Sequence, residues 1–257
     1  MCAMYYIGID IGSSGAKTVV FDTSGNLIYR QLQPTGWSSA DTAEAIRKDL
    51  VRKGYDPSEN PCVATGYGRI SVPYADKQIT EITCHGRGAS WLFQTDRLVI
   101  VDIGGQDTKV ICMEEGMVRD FIMNDKCSAG TGRFLEVMAN SMAIRPEELC
   151  AIAAEGSGTE ISSLCTVFAE SEVISLIGRG EKRANIAYGV VHSIVNKVAA
   201  QCSRADLEGR MVCLTGGLCT CDYLRRSLGE ALHTEISACP DGRYAGAIGA
   251  ALSAGYL

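Results

Sequence analysis

The chain contains the stretch YIGIDIGSSGAKTVVFDTSGNLI at residues 6–28 and a similar stretch, LVIVDIGGQDTKVICMEEGMV, at residues 98–118. Each reads as an apolar strand that ends in Asp-Ile-Gly, a polar turn, a second strand with a lysine, another turn and a third strand. The aspartate precedes the lysine by seven positions in both copies, as Asp10 with Lys17 and as Asp102 with Lys109. Equal internal spacing at a constant offset indicates an internal duplication.

Helical periodicity surrounds these two hairpins. The predicted helices are residues 38–53, 79–93, 130–142, 146–154, 165–178, 183–203 and 242–257. Strands alternating with helices predict the α/β class, and the hairpins add antiparallel edges to each sheet. We expect two subdomains with a nucleotide cleft between them: residues 1–94, against which the final helix returns to pack, and residues 95–241, which include the strand and glycine unit at 211–217.

Composition restricts the class of protein. Among 257 residues, 24 are basic and 30 acidic, so the net charge of -6 argues against a nucleic-acid or anionic membrane partner. The N-terminus has no basic region before an apolar stretch, and no segment approaches twenty apolar residues, which predicts a cytoplasmic protein without a membrane span. In that reducing compartment, most of the twelve cysteines should be small buried side chains, such as Cys112 and Cys213.

Glycine-rich turns follow both Asp-Ile-Gly strands and suit phosphate binding, because backbone N–H groups are exposed there without a Cβ in the way. A tight hairpin turn is the alternative for either turn taken alone. The chain lacks G-x-x-x-x-G-K-[ST], and no strand is followed by G-x-G-x-x-G, which argues against the P-loop and Rossmann classes. Candidate nucleotide-binding residues are Gly12, Ser13, Ser14, Gly15 and Lys17, Gly104 and Gly105, Gly130, Thr131 and Gly132, and Gly216 and Gly217.

Four polar residues near these turns are the candidate catalytic groups. Asp10 and Asp102 can hold Mg²⁺ through its waters and orient an attacking water. Gln106 and Asp107 stand where a water-positioning group is needed, or they cap the turn. As a strand residue, Lys109 either neutralises phosphate charge or faces solvent, and the same holds for Lys17.

The segment NDKCSAGTGRF, residues 124–134, raises the question whether Cys127 is a buried side chain, a reactive thiol or a metal ligand. A second isolated cysteine, Cys165, begins another predicted helix, and we expect each of the two cysteines to lie at the start of a helix. The Cys219-Thr-Cys221 spacing allows metal binding, but no second pair lies nearby, so a structural role is favoured. Gly130 and Gly132 can alternatively serve as hinge or close-packing points.

Duplicated phosphate loops with a third glycine pair are typical of the actin, hexokinase and heat-shock-70 ATPase superfamily. More narrowly, GIDIGSSGAK, ATGYGR, VDIGGQDTKVI, NDKCSAGTGRFLEVMAN, CTVFAESEVISL and YAGAIGAAL resemble the activator (archerase) component of 2-hydroxyacyl-CoA dehydratases. That family also holds the ATPase subunits of benzoyl-CoA reductase. The resemblance extends from residue 7 to residue 252, and the sequence departs from the family pattern after LTGG, where it reads LCTCDYLRR.

The resemblance implies a homodimer that shares one [4Fe-4S] cluster, with Cys127 and Cys165 of each subunit as ligands. The spacing agrees, because a cubane needs four thiolates and the chain lacks a local C-x₂-C-x₂-C run. ATP and Mg²⁺ would be the other cofactors, reduced ferredoxin or flavodoxin the electron donor, and a dehydratase or related iron-sulfur protein the acceptor. The rival interpretation is a small-molecule kinase of the acetylhexosamine type, which needs no cluster.

Overall fold

The computed structural model describes residues 4–162 and 165–256. Its strands are β1 (Tyr5–Ile11), β2 (Gly15–Asp22), β3 (Leu27–Pro34), β4 (Cys62–Thr65), β5 (Lys77–Gln78), β6 (Leu98–Ile103), β7 (Thr108–Glu114), β8 (Met117–Asn124), β9 (Met211–Gly216) and β10 (Ile236–Ala238). Its α-helices are α1 (Ser39–Arg52), α2 (Glu81–Phe93), α3 (Gly132–Ser141), α4 (Pro146–Ala153), α5 (Thr166–Gly178), α6 (Arg183–Cys202), α7 (Asp222–Leu232) and α8 (Ala245–Ala254).

Two five-stranded sheets repeat one strand order, which confirms the α/β class and the duplication. The first sheet runs β3-β2-β1-β4-β5 and the second runs β8-β7-β6-β9-β10. In both sheets, the strand that ends in Asp-Ile-Gly is central and pairs in parallel with the strand on its other side, as β1 with β4 and β6 with β9. Both central aspartates therefore lie at the carboxyl end of a parallel pair of strands.

The chain divides into two compact units. Unit 1 comprises Met1–Arg97, Met113–Arg119 and Asp241–Leu257, and unit 2 comprises Leu98–Cys112 and Asp120–Pro240. In unit 1, the isoleucines of β1 pack with Ile46 and Leu50 of α1, while Phe21 of β2 packs with Ile248 of α8. In unit 2, the apolar face of β6 packs with α3 and α6.

The predicted helices are confirmed to within three residues at each end, and side-chain caps explain where the first two, α1 and α2, begin. The Thr80 hydroxyl accepts the N–H of Thr83, so α2 begins at Glu81 rather than at residue 79. The final helix is shorter than predicted, because a 3₁₀ helix (Pro240–Tyr244) precedes α8. One α-helix, α7, was not predicted: its amphipathic pattern, with Leu224 and Leu228 buried, follows directly after the cysteine-rich turn.

Replacing Gly249 with Ala should destabilise unit 1 strongly. Gly249 lies in α8, and a Cβ there would overlap the Cys84 carbonyl oxygen of α2, so one helix backbone would have to move. We expect a cost of about 3 kcal/mol in the free energy of unfolding, at the upper end for overpacking. Gly178→Ala is the control, because its Cβ would meet no atom within 4 Å. Equal urea midpoints for the two variants would contradict this close helix packing.

Candidate functional site

The first phosphate loop joins β1 to β2 in unit 1. Asp10 is directly opposite Lys17 in the antiparallel register, and the Lys17 Nζ lies 3.9 Å from the Asp10 Oδ2. The Gly12 N–H donates to the Gly15 carbonyl at 3.1 Å, which closes the turn. Asp10 is buried, whereas the Lys17 side chain is 21% exposed. A partly exposed cation therefore stands beside a buried carboxylate at the loop.

The second phosphate loop, between β6 and β7 in unit 2, holds a more deeply buried charge cluster. The Lys109 Nζ lies 2.7 Å from the Asp107 Oδ1 and 3.5 Å from the Asp102 Oδ2, and its side chain is 4% exposed. The Thr215 hydroxyl donates to the Asp102 Oδ1 at 3.1 Å.

This burial decides between the two alternatives for Lys109. The alternative in which its side chain faces solvent is wrong. Asp107 forms an ion pair with this lysine, and Gln106 is exposed.

A Thr-Gly pair lies beside each central aspartate, and of these four residues only Gly216 was identified as a candidate from the sequence. Thr65 is the parallel-strand partner of Asp10, and Thr215 is the partner of Asp102. The glycines that follow, Gly66 and Gly216, have φ of +85° and +83°. The signal was available, because ATG at residues 64–66 and LTG at residues 214–216 both end apolar strands. The duplication therefore extends to the fourth strand of each sheet.

Replacing Gly216 with Ala should cost about 1–3 kcal/mol in stability, because its φ is unfavourable for other residues. A Cβ there would also lie 2.7 Å from the Asp102 Oδ1 and would overlap the Ile103 carbonyl oxygen. Gly217→Ala is the matched control, since its Cβ would meet nothing within 4 Å. Thermal unfolding of both variants measures the difference, and a Gly216→Ala protein as stable as the control would contradict it.

The second phosphate loop is hydrogen-bonded directly to the first turn of α3. The Gly132 N–H donates to the Gly104 carbonyl at 2.8 Å, and the Arg133 N–H donates to the Gly105 carbonyl at 2.9 Å. The Thr108 hydroxyl donates to the Gly130 carbonyl at 2.7 Å. These contacts support the close-packing alternative for Gly130 and Gly132. Through these hydrogen bonds, a displacement of the loop backbone would also displace the start of α3.

Cys127 and Cys165 are the exposed cysteines among those that the structure describes. The residues that follow them are in contact, since the Ser128 and Thr166 hydroxyls are 2.7 Å apart and hydrogen-bonded. Cys165 is the N-cap of α5, as expected. The expectation that Cys127 also begins a helix is wrong, because the N-cap of α3 is Thr131 and Cys127 lies in the preceding loop.

The remaining described cysteines are buried or half-buried, which confirms the expectation for Cys112 and Cys213. Burial raises the pKa of Cys84 to about 11 and that of Cys202 to about 12, so both stay protonated at neutral pH. Cys219 and Cys221 are buried, which fits the favoured structural role. Within the described residues, no group of three or more His, Cys, Asp or Glu side chains is placed to hold a metal ion.

Two glutamates on α5 form hydrogen bonds to neighbouring segments of unit 2. Glu170 accepts a hydrogen bond from the Ser141 hydroxyl at 3.1 Å, and Glu172 accepts from the N–H and hydroxyl of Ser162. Both side chains are half-buried. These hydrogen bonds attach α5, whose N-cap is Cys165, to Ser141 at the end of α3 and to Ser162.

No helix in the described part of the chain has an apolar span of the length that a membrane crossing needs.

A pocket of about 500 Å³ lies in unit 2 beside the edge strand β10 and the start of α7. Its lining includes Cys219, Asp222, Arg225 and Ala238.

The sequence matches a known protein family and its members over nearly its whole length. The model of the BadF/BadG/BcrA/BcrD ATPase family matches residues 7–254. The activator of lactoyl-CoA dehydratase from Anaerotignum propionicum is 40% identical over 254 residues, which cover 98% of this chain and 97% of the relative.

Two solved structures are similar over nearly the whole chain. The (R)-2-hydroxyglutaryl-CoA dehydratase component A of Acidaminococcus fermentans gives a TM-score of 0.92 at 38% identity, over 99% of this chain and 98% of that one. The activator of the 2-hydroxyisocaproyl-CoA dehydratase from Clostridium difficile, with bound ADPNP, gives 0.91 at 36% identity, over 98% and 95%. The predicted duplicated actin/hexokinase/heat-shock-70-like ATPase fold is confirmed.

Proposed function

The chain belongs to the BadF/BadG/BcrA/BcrD ATPase family, and from that membership we propose that it activates a 2-hydroxyacyl-CoA dehydratase or a related iron-sulfur partner. In this role it passes a low-potential electron from a [4Fe-4S] cluster to the partner, driven by ATP hydrolysis. The activators named among the similar proteins support the role, and the ADPNP in one similar structure supports nucleotide binding. Reduced ferredoxin or flavodoxin is the proposed donor, in the cytoplasm of an anaerobe.

The observation on which the proposal rests is the pair of exposed thiols, Cys127 and Cys165. The hydrogen bond between the Ser128 and Thr166 hydroxyls brings the loop of one cysteine to the helix start of the other. Exposed thiols can reach a bound group, whereas the other described cysteines are wholly or partly enclosed by protein. The donor set therefore fits an iron-sulfur cluster at this surface.

Four thiolates are needed for a [4Fe-4S] cluster, and this pair provides two. A two-fold axis beside the pair would bring Cys127 and Cys165 of a second copy to the same point. We therefore propose a homodimer in which each copy contributes both cysteines. When bound, the cluster would supply the single electron that is transferred.

The start of α5 stabilises negative charge at Cys165. The helix is 13 residues long, and the first-turn N–H groups next to Cys165 give this end a partial positive charge. A bound anionic group at Cys165 would be stabilised by that charge. Cys127 lacks this contribution, because three residues separate it from Thr131, the N-cap of α3.

For the nucleotide, we propose that both phosphate loops bind ATP through backbone N–H groups. The N–H groups of Gly12 and Gly104 donate within their own turns, to the Gly15 and Asp107 carbonyls, so these two glycines would give the phosphates a close approach rather than a donor. The contributing N–H groups would be those of Ser13, Ser14, Gly15 and Gly105, with Gly216 and Gly217 against the sugar and α-phosphate. Asp10 and Asp102 would hold the waters of Mg²⁺, and the metal would neutralise phosphate charge. Lys17 is partly exposed and would add a positive charge beside the phosphates. Gln106, which is exposed, would position the attacking water, while Asp107 holds Lys109 in place.

The hydrogen bonds of unit 2 give a route from nucleotide to thiol. The carbonyl groups of Gly104 and Gly105 accept the N–H groups of Gly132 and Arg133, so the loop and the first turn of α3 would move together. The Thr131 hydroxyl donates to the Ser128 carbonyl at 2.6 Å. Ser128 is next to Cys127, and its hydroxyl contacts Thr166. A shift at the phosphate loop would therefore be passed to both cysteines.

Purification without oxygen tests the proposal. The protein should be brown, contain about four irons per dimer, and release phosphate from ATP. Its mass in solution should be twice that of the 27.5 kDa chain. Colourless, iron-free protein that phosphorylates a sugar would overturn the proposal in favour of a small-molecule kinase. Iron-containing protein that binds ATP without releasing phosphate would instead indicate a nucleotide switch.

A further inference from the structure

A second pair of cysteines, Cys150 and Cys221, is in direct contact inside unit 2. Cys150 lies on α4, and Cys221 is the N-cap of α7. Their side chains are hydrogen-bonded to each other, and both belong to the apolar core that includes Leu149 and Leu224. Both are free thiols. The fold therefore brings together two sulfur atoms from helices that are far apart in sequence.

The surroundings shift the pKa values of the two thiols in opposite directions. The hydrogen bond from Cys150 lowers the pKa of Cys221, and the backbone N–H groups of Leu224 and Tyr223 lower it further, although burial opposes them. The same hydrogen bond, together with burial, raises the pKa of Cys150. A thiolate at Cys221 would also be stabilised by the positive end of α7. Cys221 is therefore suited to attack, and Cys150 to remain a protonated partner.

Access also distinguishes this pair from the most deeply buried cysteines of unit 2. Cys150 is 7% exposed and Cys221 is 8% exposed, whereas Cys202 and Cys213 are fully buried. Cys221 also lies close to the surface pocket, since its neighbours Thr220 and Asp222 line it. A small neutral oxidant can reach the pair without the unit unfolding.

We propose that Cys150 and Cys221 are a modification site, at which hydrogen peroxide converts the two thiols into a reversible disulfide. The Cys221 thiolate attacks one peroxide oxygen, the O–O bond breaks, and the hydroxide released takes up the proton lost by Cys221 and leaves as water. The Cys150 sulfur then attacks the resulting sulfenic acid, the S–S bond forms, and the hydroxyl leaves with the Cys150 proton as a second water. Two thiols are oxidised by two electrons, and one peroxide is reduced to two waters.

The disulfide would fix the turn that follows the second Thr-Gly pair. The Cys219 N–H donates to the Gly216 carbonyl at 3.3 Å, and the Cys221 N–H donates to the Leu218 carbonyl at 3.0 Å. A covalent bond at Cys221 would join this turn to α4. It should also raise the melting temperature, because a cross-link between distant residues restricts the unfolded chain. A dithiol reductant would reverse both effects by thiol-disulfide exchange.

Peptide mapping of the whole protein tests the site. Protein prepared without oxygen is treated with one equivalent of hydrogen peroxide, alkylated with N-ethylmaleimide, digested with trypsin and a glutamate-specific protease, and sequenced by mass spectrometry. Cleavage after Glu148 and Glu155 separates Cys150 from Cys165. The expected product is a Cys150–Cys221 cross-linked peptide that disappears with dithiothreitol, together with a melting temperature that rises on oxidation and falls on reduction.

Matched variants identify the partners. The cross-link should be absent from Cys221→Ser and from Cys150→Ser, and it should persist in Cys219→Ser, where the hydroxyl can still donate to the Cys239 carbonyl. It should also persist in Cys127→Ser, so its appearance does not depend on the proposed cluster. Recovery of Cys150 and Cys221 as alkylated thiols in the wild-type protein would overturn the proposal. So would a cross-link from Cys150 to Cys219, and neither result would affect the proposed activator function.

Discussion

Replacing Cys127 with Ala is expected to give a colourless protein whose iron content falls from about four per dimer to nearly zero. Two of the four proposed thiolates would be lost at once, because both copies carry the change. ATP binding should remain, since the phosphate loops do not include this side chain. Iron analysis and the visible absorption spectrum of protein purified without oxygen measure the effect. Cys165→Ala should behave in the same way.

The control for this prediction is Cys239→Ala. Cys239 is half-buried and lies outside both exposed cysteine segments, and the contact that it accepts from Cys219 uses its backbone carbonyl. Its iron content should equal that of the wild type. If Cys127→Ala protein kept the full iron complement, the cluster would have other ligands. If Cys239→Ala lost iron as well, the effect could not be assigned to the exposed pair.

The repeated Asp and Lys, seven positions apart, could be recognised in the sequence because each pair belongs to a single hairpin. Asp10 and Lys17 are cross-strand partners, so a tight turn of fixed length determines both their spacing and their contact. The same local rule made β1 to β3 and β6 to β8 predictable. Helix periodicity likewise indicated α1 to α6, each of which buries one face.

Features that depend on distant contacts could not be read in the same way. Cys150 and Cys221 meet because α4 and α7 pack together, and no spacing in the sequence signals that contact. The hydrogen bond between Ser128 and Thr166 similarly joins two loops that the sequence treats separately. By contrast, α7 was not predicted although its period is local, since Leu224 and Leu228 are spaced as on one face of a helix. The position of Lys109, buried between two carboxylates, also needed the structure.

Replacing Lys109 with Met should lower the free energy of unfolding strongly, because it removes a buried positive charge. The ammonium group lies 2.7 Å from Asp107 and 3.5 Å from Asp102, and all three side chains are less than a tenth exposed. Removing the cation would leave two buried carboxylates close together without a positive partner. Breaking a buried ion pair in this way costs about 3–5 kcal/mol. Urea denaturation followed by circular dichroism measures the loss.

The duplication supplies a matched control, Lys17→Met. Lys17 has the same place in the first hairpin, but its side chain is 21% exposed and lies 3.9 Å from the Asp10 carboxylate, so water compensates for its loss. A cost of about 1 kcal/mol is expected there. If both variants lost the same stability, Lys109 would not be buried between the two aspartates. Adding Asp107→Asn to Lys109→Met removes one of the uncompensated charges, so the double variant should be less destabilised than the sum of the single variants.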